Sequence, residues 1–181
     1  MTSEADRQLL LRIARETIAA HVRSSERAIV GDESLDGRCG GVFVTLRKAR
    51  KLRGCIGHIE ADKALALVVA RCAVAASAWD PRFPPVGEGE LDEIEIELSL
   101  LGPLERIGGP DQIEIGRHGL VVERGTCRGL LLPQVAIEWC WNSETFLART
   151  CHKAGLQHDA WRHGAALWRF EAEVFGETVR S

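Results

Sequence analysis

The sequence predicts an α+β fold with mainly antiparallel sheets. Segments with helical spacing of apolar residues are interspersed with segments typical of β-hairpins, instead of alternating strictly with single strands. The chain has 181 residues, of which 45% are hydrophobic and 27% charged, and these values are typical of one soluble globular folding unit. Disordered, collagen-like and coiled-coil classes are therefore disfavoured.

The N-terminal part predicts a helix followed by a hairpin. Apolar residues recur at steps of three and four after Ser3, which predicts an N-cap there and a helix that ends near Ser24 or Ser25. The segment GVFVTL at 41–46 alternates like a strand, and LRGCIG at 52–57 is predicted to return beside it. The basic residues between the two segments form the predicted turn.

A second helix is expected after the hairpin. Asp62 is a candidate N-cap, and apolar residues on nearly all sides predict that this helix is buried. It must end near Trp79, because Pro81 disfavours the helical conformation at Asp80. The segment DPRFPPV at 80–86 is therefore predicted to be a stiff loop.

The clearest strand is EIEIELSL at 93–100. Its residues alternate between apolar and polar, which predicts one face in the core and one face in water. The predicted wet face consists of Glu93, Glu95, Glu97 and Ser99.

The C-terminal half predicts a further hairpin, a helix and a final strand. The hairpin covers 118–133, with its turn around Arg124. Ser143 is expected to cap a helix that runs to about Ala154, and LWRFEAEVF at 167–175 reads as the last strand.

Charge and hydropathy indicate the expected location of the protein. The net charge of −3 does not mark a general polyanion binder, and the N-terminal segment lacks the uncharged apolar region of a secretory signal. The longest apolar run, at 64–79, contains Arg71 and is too short to cross a membrane. A cytoplasmic location without membrane contact is the expectation, so the six cysteines, which form no CxxC pair, are expected to be reduced thiols.

Cys55 is the sharpest candidate for chemistry. Arg53, His58 and the basic turn could lower the pKa of its thiol and make it a nucleophile. In an extended strand, however, Arg53 and Cys55 share a face while His58 points to the other, unless Gly57 breaks the register. Two alternatives stay open: a small buried apolar residue, which is common for free cysteines, and a metal ligand, for which a single CxxH pair is a weak signal.

Other clusters have ordinary explanations beside functional ones. The basic turn at 47–53 holds five cations that could meet phosphate groups, although it lacks the interleaved aromatic residues of single-strand binders. Histidines near the C-terminus match no defined metal spacing, and no metal site is assigned. Tryptophans in the same half could line a pocket or pack in a core.

Several segments together resemble one known family, the AMMECR-type domain proteins, also known as protein A of the AmmeMemoRadiSam system. The resemblance spans about residues 6–177 of a predicted single domain at 1–181. It is carried, in order, by LRGCIG, DPRFPPV, IEIELSLL, GRHGLVV, GLLLPQVA, WNSETFL and KAGL.

The resemblance implies an α+β fold of two unequal lobes, of which the larger holds both termini. It also implies a functional site at 52–57 near a cleft, and a genomic association with a Memo-type protein, related to metal-dependent dioxygenases, and a radical SAM protein. It implies no particular reaction and no cofactor.

The leading hypothesis is a component of a modification pathway shared with those two proteins. It would bind a small molecule or a partner's peptide in the cleft, with Arg53 as an anion contact and Gly54 and Gly57 giving access to the backbone. Cys55 is the candidate reactive group, and Arg82 is expected on the cleft wall. The alternatives are a non-catalytic interaction module and nucleic-acid binding through the basic turn.

Overall fold

The computed structural model describes residues 2–24, 40–59 and 63–177. These residues form an α+β fold in which every described strand pairing is antiparallel, as the sequence predicted. The helices are α1 (Glu4–Ser24), α2 (Leu65–Ala78), α3 (Pro133–Glu138) and α4 (Ser143–Lys153). The strands are β1 (Val42–Lys48), β2 (Lys51–His58), β3 (Ile94–Leu101), β4 (Glu105–Ile107), β5 (His118–Arg124), β6 (Cys127–Leu131) and β7 (Ala166–Gly176).

The chain divides into two structural units. The first contains the residues up to Leu100 and those from Glu173 onward, and the second contains Leu101–Ala172. In the first unit β1 lies between β2 and β3, and the helices α1 and α2 pack together. Val42, Val44 and Leu46 of β1 are fully buried in a core that includes residues of both helices. One face of this sheet is therefore covered by helices.

The bounds of α1 agree with the sequence. Ser3 accepts a hydrogen bond from the backbone N–H of Asp6 through its Oγ (3.2 Å), so its predicted N-cap role is confirmed. The helix ends at Ser24. Its fully buried residues include Leu10, Ala14 and Ile18, which lie four residues apart on one face.

Helix α2 is buried on most sides, as predicted. Ten of its 14 residues are buried, including Val69 and Ala73. The helix follows an N-cap at Ala64 and ends at Ala78, two residues before Asp80. The predicted cap Asp62 lies outside the described residues. No helix in the described part of the chain is long and apolar enough to cross a membrane.

Strand β3 corrects one expectation from the alternating pattern. Ile94, Ile96 and Leu98 are buried as predicted, but Ser99 on the opposite face is also fully buried. Glu97 on that face is partly buried, and its Oε1 is inaccessible. The prediction that this face is exposed to solvent is therefore wrong for Ser99 and for the Oε1 atom of Glu97. The alternating pattern shows which residues are polar, and a polar residue can still be buried.

The second unit contains the other predicted hairpin and a helix. Strands β5 and β6 form the hairpin, and Gly125 in its turn has a φ of 61°. Strand β7 pairs with both β4 and β5. Phe146 and Leu147 of α4 are fully buried in a core shared with β5.

The N-cap of α4 differs from the prediction by one residue. Asn142 has extended backbone angles, and its side chain accepts a hydrogen bond from the N–H of Thr145 at 2.9 Å. Ser143 instead donates through its Oγ to the carbonyl oxygen of Ile113 at 3.3 Å. Both residue types are good caps, so the sequence alone does not distinguish them. The short helix α3 was not predicted from the sequence.

Candidate functional site

Cys55 lies on β2, which pairs only with β1 among the described strands. Its backbone N–H donates to Oδ2 of Asp80 at 2.9 Å, and its carbonyl oxygen accepts from Nη2 of Arg82 at 3.3 Å. The loop after α2 thus satisfies both backbone groups of Cys55 on the open side of the strand. These two hydrogen bonds replace those that a neighbouring strand would form with Cys55 if β2 were not at the sheet edge.

Asp80 and Arg82 form a two-point ion pair. The distances are 2.9 Å from Nε to Oδ1 and 2.7 Å from Nη2 to Oδ2, and the backbone N–H of Arg82 adds a third contact to Oδ1. Asp80 is buried, and the hydrogen bonds from the Arg82 guanidinium hold the pKa of its carboxyl well below the usual range. The same contacts raise the pKa of Arg82. The carboxylate that fixes Cys55 is therefore ionised at neutral pH.

Arg53 holds the same loop from a second point. Its Nε and Nη2 donate to the two carboxylate oxygens of Glu90 at 3.1 and 2.9 Å. Its Nη1 and Nη2 donate to the carbonyl oxygens of Pro84 and Pro85 at 2.8 and 3.2 Å. The side chain is only 12% exposed, and its hydrogen bonds lower the pKa of Glu90 to about 2. The guanidinium of Arg53 is thus engaged within the protein, and its predicted contact with an anion stays a prediction.

A bulge explains the direction of Arg53. The pairing of β1 with β2 runs without interruption from Val42 to Leu46, and the next pair then skips Arg53. An extra residue in one strand turns its side chain away from the regular alternation. The described pairing shifts register at Arg53, and it continues without a shift through Gly57. The segments LRGCIG and DPRFPPV, separate in sequence, are joined by the contacts of Arg53, Cys55 and Asp80.

The two glycines that flank Cys55 have packing roles. A Cβ on Gly54 would overlap the carbonyl oxygen of Ala76 in α2, so the helix approaches the strand where no side chain intervenes. A Cβ on Gly57 would overlap the ring of Phe43 and the carbonyl oxygen of Val42. Their predicted role in giving a ligand access to the backbone stays a prediction.

The thiol of Cys55 is partly buried and neutral at physiological pH. Thr45 on β1 donates to its Sγ at 3.3 Å. Burial raises the pKa of the thiol, and the Thr45 hydrogen bond and the charge of Arg82 offset this only in part. The expectation that Arg53 and His58 lower this pKa is wrong: Arg53 is turned to Glu90, and the carboxylates of Asp80 and Glu97 raise it further.

Polar residues on β3 extend the site, and the sequence interpretation missed them. Across the sheet Cys55 pairs with Thr45, and Thr45 pairs with Glu97. Neighbours in such a row have Cβ atoms about 5 Å apart. Ser99 lies two residues from Glu97 and shares its face. The sequence did not predict this proximity, because it follows from the pairing of β1 with both β2 and β3. Spacing along a single strand does not show which residues of neighbouring strands lie side by side. We call Thr45, Cys55, Glu97 and Ser99 the polar row.

The other candidates from the sequence make contacts of their own. Lys48 in the basic hairpin contacts Glu90 and Glu93 at 3.3 and 3.2 Å, so acidic side chains neutralise part of that turn. The rings of His152 and His158 stack 5.1 Å apart. No group of three or more potential metal ligands occurs among residues 2–24, 40–59 and 63–177. Trp161 lines a groove of about 260 Å³ in the second unit.

Comparison with known proteins confirms the family resemblance. The sequence profile of the AMMECR1 family matches residues 11–175. A protein from Methanosarcina acetivorans is 42% identical over 187 residues, covering 98% of this chain and 94% of the relative. A protein from Methanothermobacter thermautotrophicus is 44% identical over 184 residues, covering 97% and 96%.

A solved structure supports the fold independently. The crystal structure of the uncharacterized protein PH0010 from Pyrococcus horikoshii matches with a TM-score of 0.87 and 39% sequence identity. The match covers 93% of this chain and 90% of that chain. The chain belongs to the AMMECR1 family.

Proposed function

We propose that this protein binds a small molecule or a side chain of a partner peptide on the sheet face that carries Cys55. In this proposal it serves a modification pathway shared with a Memo-type protein and a radical SAM protein. Membership in the AMMECR1 family supports the pathway part, and the geometry around Cys55 supports the binding part.

The observation that carries the proposal is the way Cys55 is held. Its N–H and carbonyl oxygen are both bonded to the ion pair of Asp80 and Arg82, at 2.9 and 3.3 Å, while its side chain remains partly exposed. Arg53 fixes the same loop with four further hydrogen bonds. A side chain on such a constrained backbone is preorganised for contact with a ligand.

The chemistry of the thiol favours binding over nucleophilic attack. The thiolate is the nucleophilic form of cysteine, and burial raises the pKa of Cys55. At neutral pH the group is therefore a weak S–H donor that already accepts a hydrogen bond from Thr45. In this proposal Cys55 contacts the ligand as a neutral thiol.

A fragment screen with a blocked site tests the proposal. Saturation-transfer NMR would compare the binding of amines, carboxylates, phosphates and neutral fragments to the wild type and to Cys55→Leu. The matched control is Cys140→Leu, because Cys140 is an exposed cysteine in the second unit. We expect a set of fragments that bind the wild type and Cys140→Leu but not Cys55→Leu. The proposal is wrong if no bound fragment is lost in Cys55→Leu.

An exposed apolar cluster favours an interaction module as a second candidate function. Ile137 and Trp139 are 58% and 66% exposed, and the ring of Trp139 stacks on that of Trp141 at 6.2 Å. Large exposed aromatic side chains are enriched at protein interfaces. If this candidate is correct, Trp139→Ser abolishes co-purification with co-expressed Memo-type or radical SAM proteins, whereas Cys55→Ser retains it. The reverse pattern would contradict it.

A further inference from the structure

A group of aromatic and apolar side chains lies on the surface of the second unit. Ile137 and Trp139 are exposed at the end of α3, and the ring of Trp139 stacks on that of the partly buried Trp141 with an angle of 19° between them. The guanidinium of Arg149 on α4 also lies on Trp141, with its Cζ 5.6 Å from the ring centroid. We call Ile137, Trp139, Trp141 and Arg149 the aromatic patch.

The fold holds Trp139 in its exposed position. Its backbone N–H donates to the carbonyl oxygen of Val135 at 3.2 Å, and the N–H of Trp141 donates to that of Ala136 at 2.9 Å. Trp141 packs against the core of the second unit, so stacking on it restrains the exposed ring. A large side chain that is already ordered loses little conformational entropy when a partner binds.

Two basic side chains on α4 have no acidic partner. Arg149 and Lys153 are exposed and lie four residues apart, so they are neighbours on the helix surface. Neither side chain forms a hydrogen bond or an ion pair with the described residues 2–24, 40–59 and 63–177. By contrast, Arg162 of the same unit is paired with Glu144 at 3.1 Å. The described part of the chain therefore leaves the positive charge at the patch without a counterion.

We propose that the aromatic patch binds an acidic segment of a partner protein. Apolar side chains of this segment pack on Ile137 and Trp139, and a carboxylate binds Arg149. Tryptophan and arginine are enriched among the residues that contribute most to binding at protein interfaces, and hydrogen bonds between guanidinium and carboxylate groups are strong. This assignment rests on the interaction module given above as the second candidate function, and it names the chemistry of the partner.

Two other occupants fit the patch less well. A single-stranded nucleic acid needs a groove of cations along its backbone, whereas the patch offers Arg149 and the nearby Lys153 in a protein with a net charge of −3. A two-fold contact between copies of this chain would bring the same two cations of both copies to one interface. Like charges facing each other oppose such a contact.

NMR titration of the full chain with synthetic peptides tests the chemistry of the partner. The probes are a short capped peptide of alternating leucine and aspartate, and two analogues in which asparagine or lysine replaces every aspartate. We expect the acidic peptide to shift the indole N–H signal of Trp139 and to bind at least about threefold more tightly than the neutral analogue, as one or two exposed ion pairs allow. Added salt should reduce this preference, because it screens exposed charges.

Variants identify the residues responsible. Trp139→Ser should weaken the binding of the acidic and neutral peptides alike, because it removes the apolar contact. The double variant Arg149→Gln with Lys153→Gln should abolish the preference for the acidic peptide and leave binding of the neutral analogue unchanged. This second effect is readable even if Trp139→Ser does not fold. The matched controls Trp79→Ser and Arg71→Gln, at an exposed tryptophan and an exposed arginine of the first unit, should not change the titration.

The alternative results overturn the proposal in distinguishable ways. Equal binding of all three peptides, preference for the lysine analogue or no shift of the Trp139 signal would overturn the assigned chemistry. Tighter binding of a short oligothymidylate would identify a nucleic-acid surface instead, and a dimer that dissociates in Trp139→Ser would identify a contact between copies.

The interaction module itself is tested separately by co-purification. If Trp139→Ser abolishes co-purification but the acidic peptide is not preferred, the module stands and the partner chemistry proposed here is wrong. If the acidic peptide binds as expected but Trp139→Ser still co-purifies with the Memo-type and radical SAM proteins, the docking surface is supported and its assignment to those partners is wrong.

Discussion

At the scale of single residues, Cys55 has two separate roles. Its backbone is part of the sheet edge, where Asp80 and Arg82 satisfy it, and its side chain belongs to the polar row. The sequence identified Cys55 as a candidate because of its flanking glycines and Arg53. It did not reveal Glu97 and Ser99 as neighbours, because the pairing of three strands determines that proximity.

The neighbours of Cys55 should shift the pKa of its thiol in opposite directions. The hydrogen bond from Thr45 lowers this pKa and the charge of Glu97 raises it. Thr45→Val should therefore slow alkylation of Cys55 at pH 8, and Glu97→Gln should accelerate it, because the alkylation rate follows the fraction of thiolate. Rates resolved by mass spectrometry check this, with Glu93→Gln as a control. Shifts of equal sign in both variants would contradict the geometry of the row.

The cap of α4 is a second test at this scale. Asn142→Ala should lower the free energy of unfolding by about 1 kcal/mol, because it removes the acceptor for the N–H of Thr145. Ser143→Ala should cost less, because the hydrogen bond to Ile113 is long at 3.3 Å. Urea unfolding of the two variants gives the comparison. A larger loss in Ser143→Ala would mean that the N-cap is Ser143 after all.

At the scale of elements, local patterns predicted most of the secondary structure. Apolar spacing gave α1 and α2, alternation gave β3, and turn residues gave both hairpins. The bulge at Arg53 could not be predicted, because the alternation of residues along β2 does not reveal where its pairing with β1 shifts register. Helix α3 was missed because six residues are too few for a periodic signal.

The contact between β2 and α2 requires Gly54. Gly54→Ala would place a Cβ against the carbonyl oxygen of Ala76, so the strand and the helix would have to separate. We expect a loss of about 2 kcal/mol or more in the free energy of unfolding. Gly89→Ala is the matched control, because no atom lies within 4 Å of a Cβ at that position. Equal melting temperatures for the two variants would show that the helix does not depend on this close approach.

At the scale of the whole molecule, paired carboxylates link stability to pH. Asp80 and Glu90 have pKa values below their usual ones of 3.8 and 4.5, Glu90 at about 2. A lowered pKa in the folded state adds stability above the unfolded pKa, and this stability is lost as pH falls through the folded pKa. The contribution of Glu90 is therefore complete above about pH 5 and decreases toward pH 2.

Variants at Glu90 should reveal this dependence. Glu90→Gln should lower the free energy of unfolding at pH 7 by about 1–2 kcal/mol, and its difference from the wild type should shrink at pH 3. Glu93→Gln, which removes a more exposed partner of Lys48, should cost less than about 1 kcal/mol. Urea unfolding at several pH values measures both differences. A difference for Glu90→Gln that does not change with pH would contradict the assigned pKa.

In the proposed function, the side chain of Cys55 faces a site that ligands can reach. The most direct measurement is the alkylation of each cysteine by iodoacetamide in native protein at increasing urea, resolved by mass spectrometry. Cys72 is buried, and burial raises its pKa to about 12. It therefore serves as an internal reference for a cysteine that reacts only when the protein unfolds. We expect Cys55 to react below the unfolding transition, faster than Cys72 and without the urea dependence of Cys72. If Cys55 and Cys72 are protected equally and react only as the protein unfolds, LRGCIG is a packing element and the proposed site is wrong.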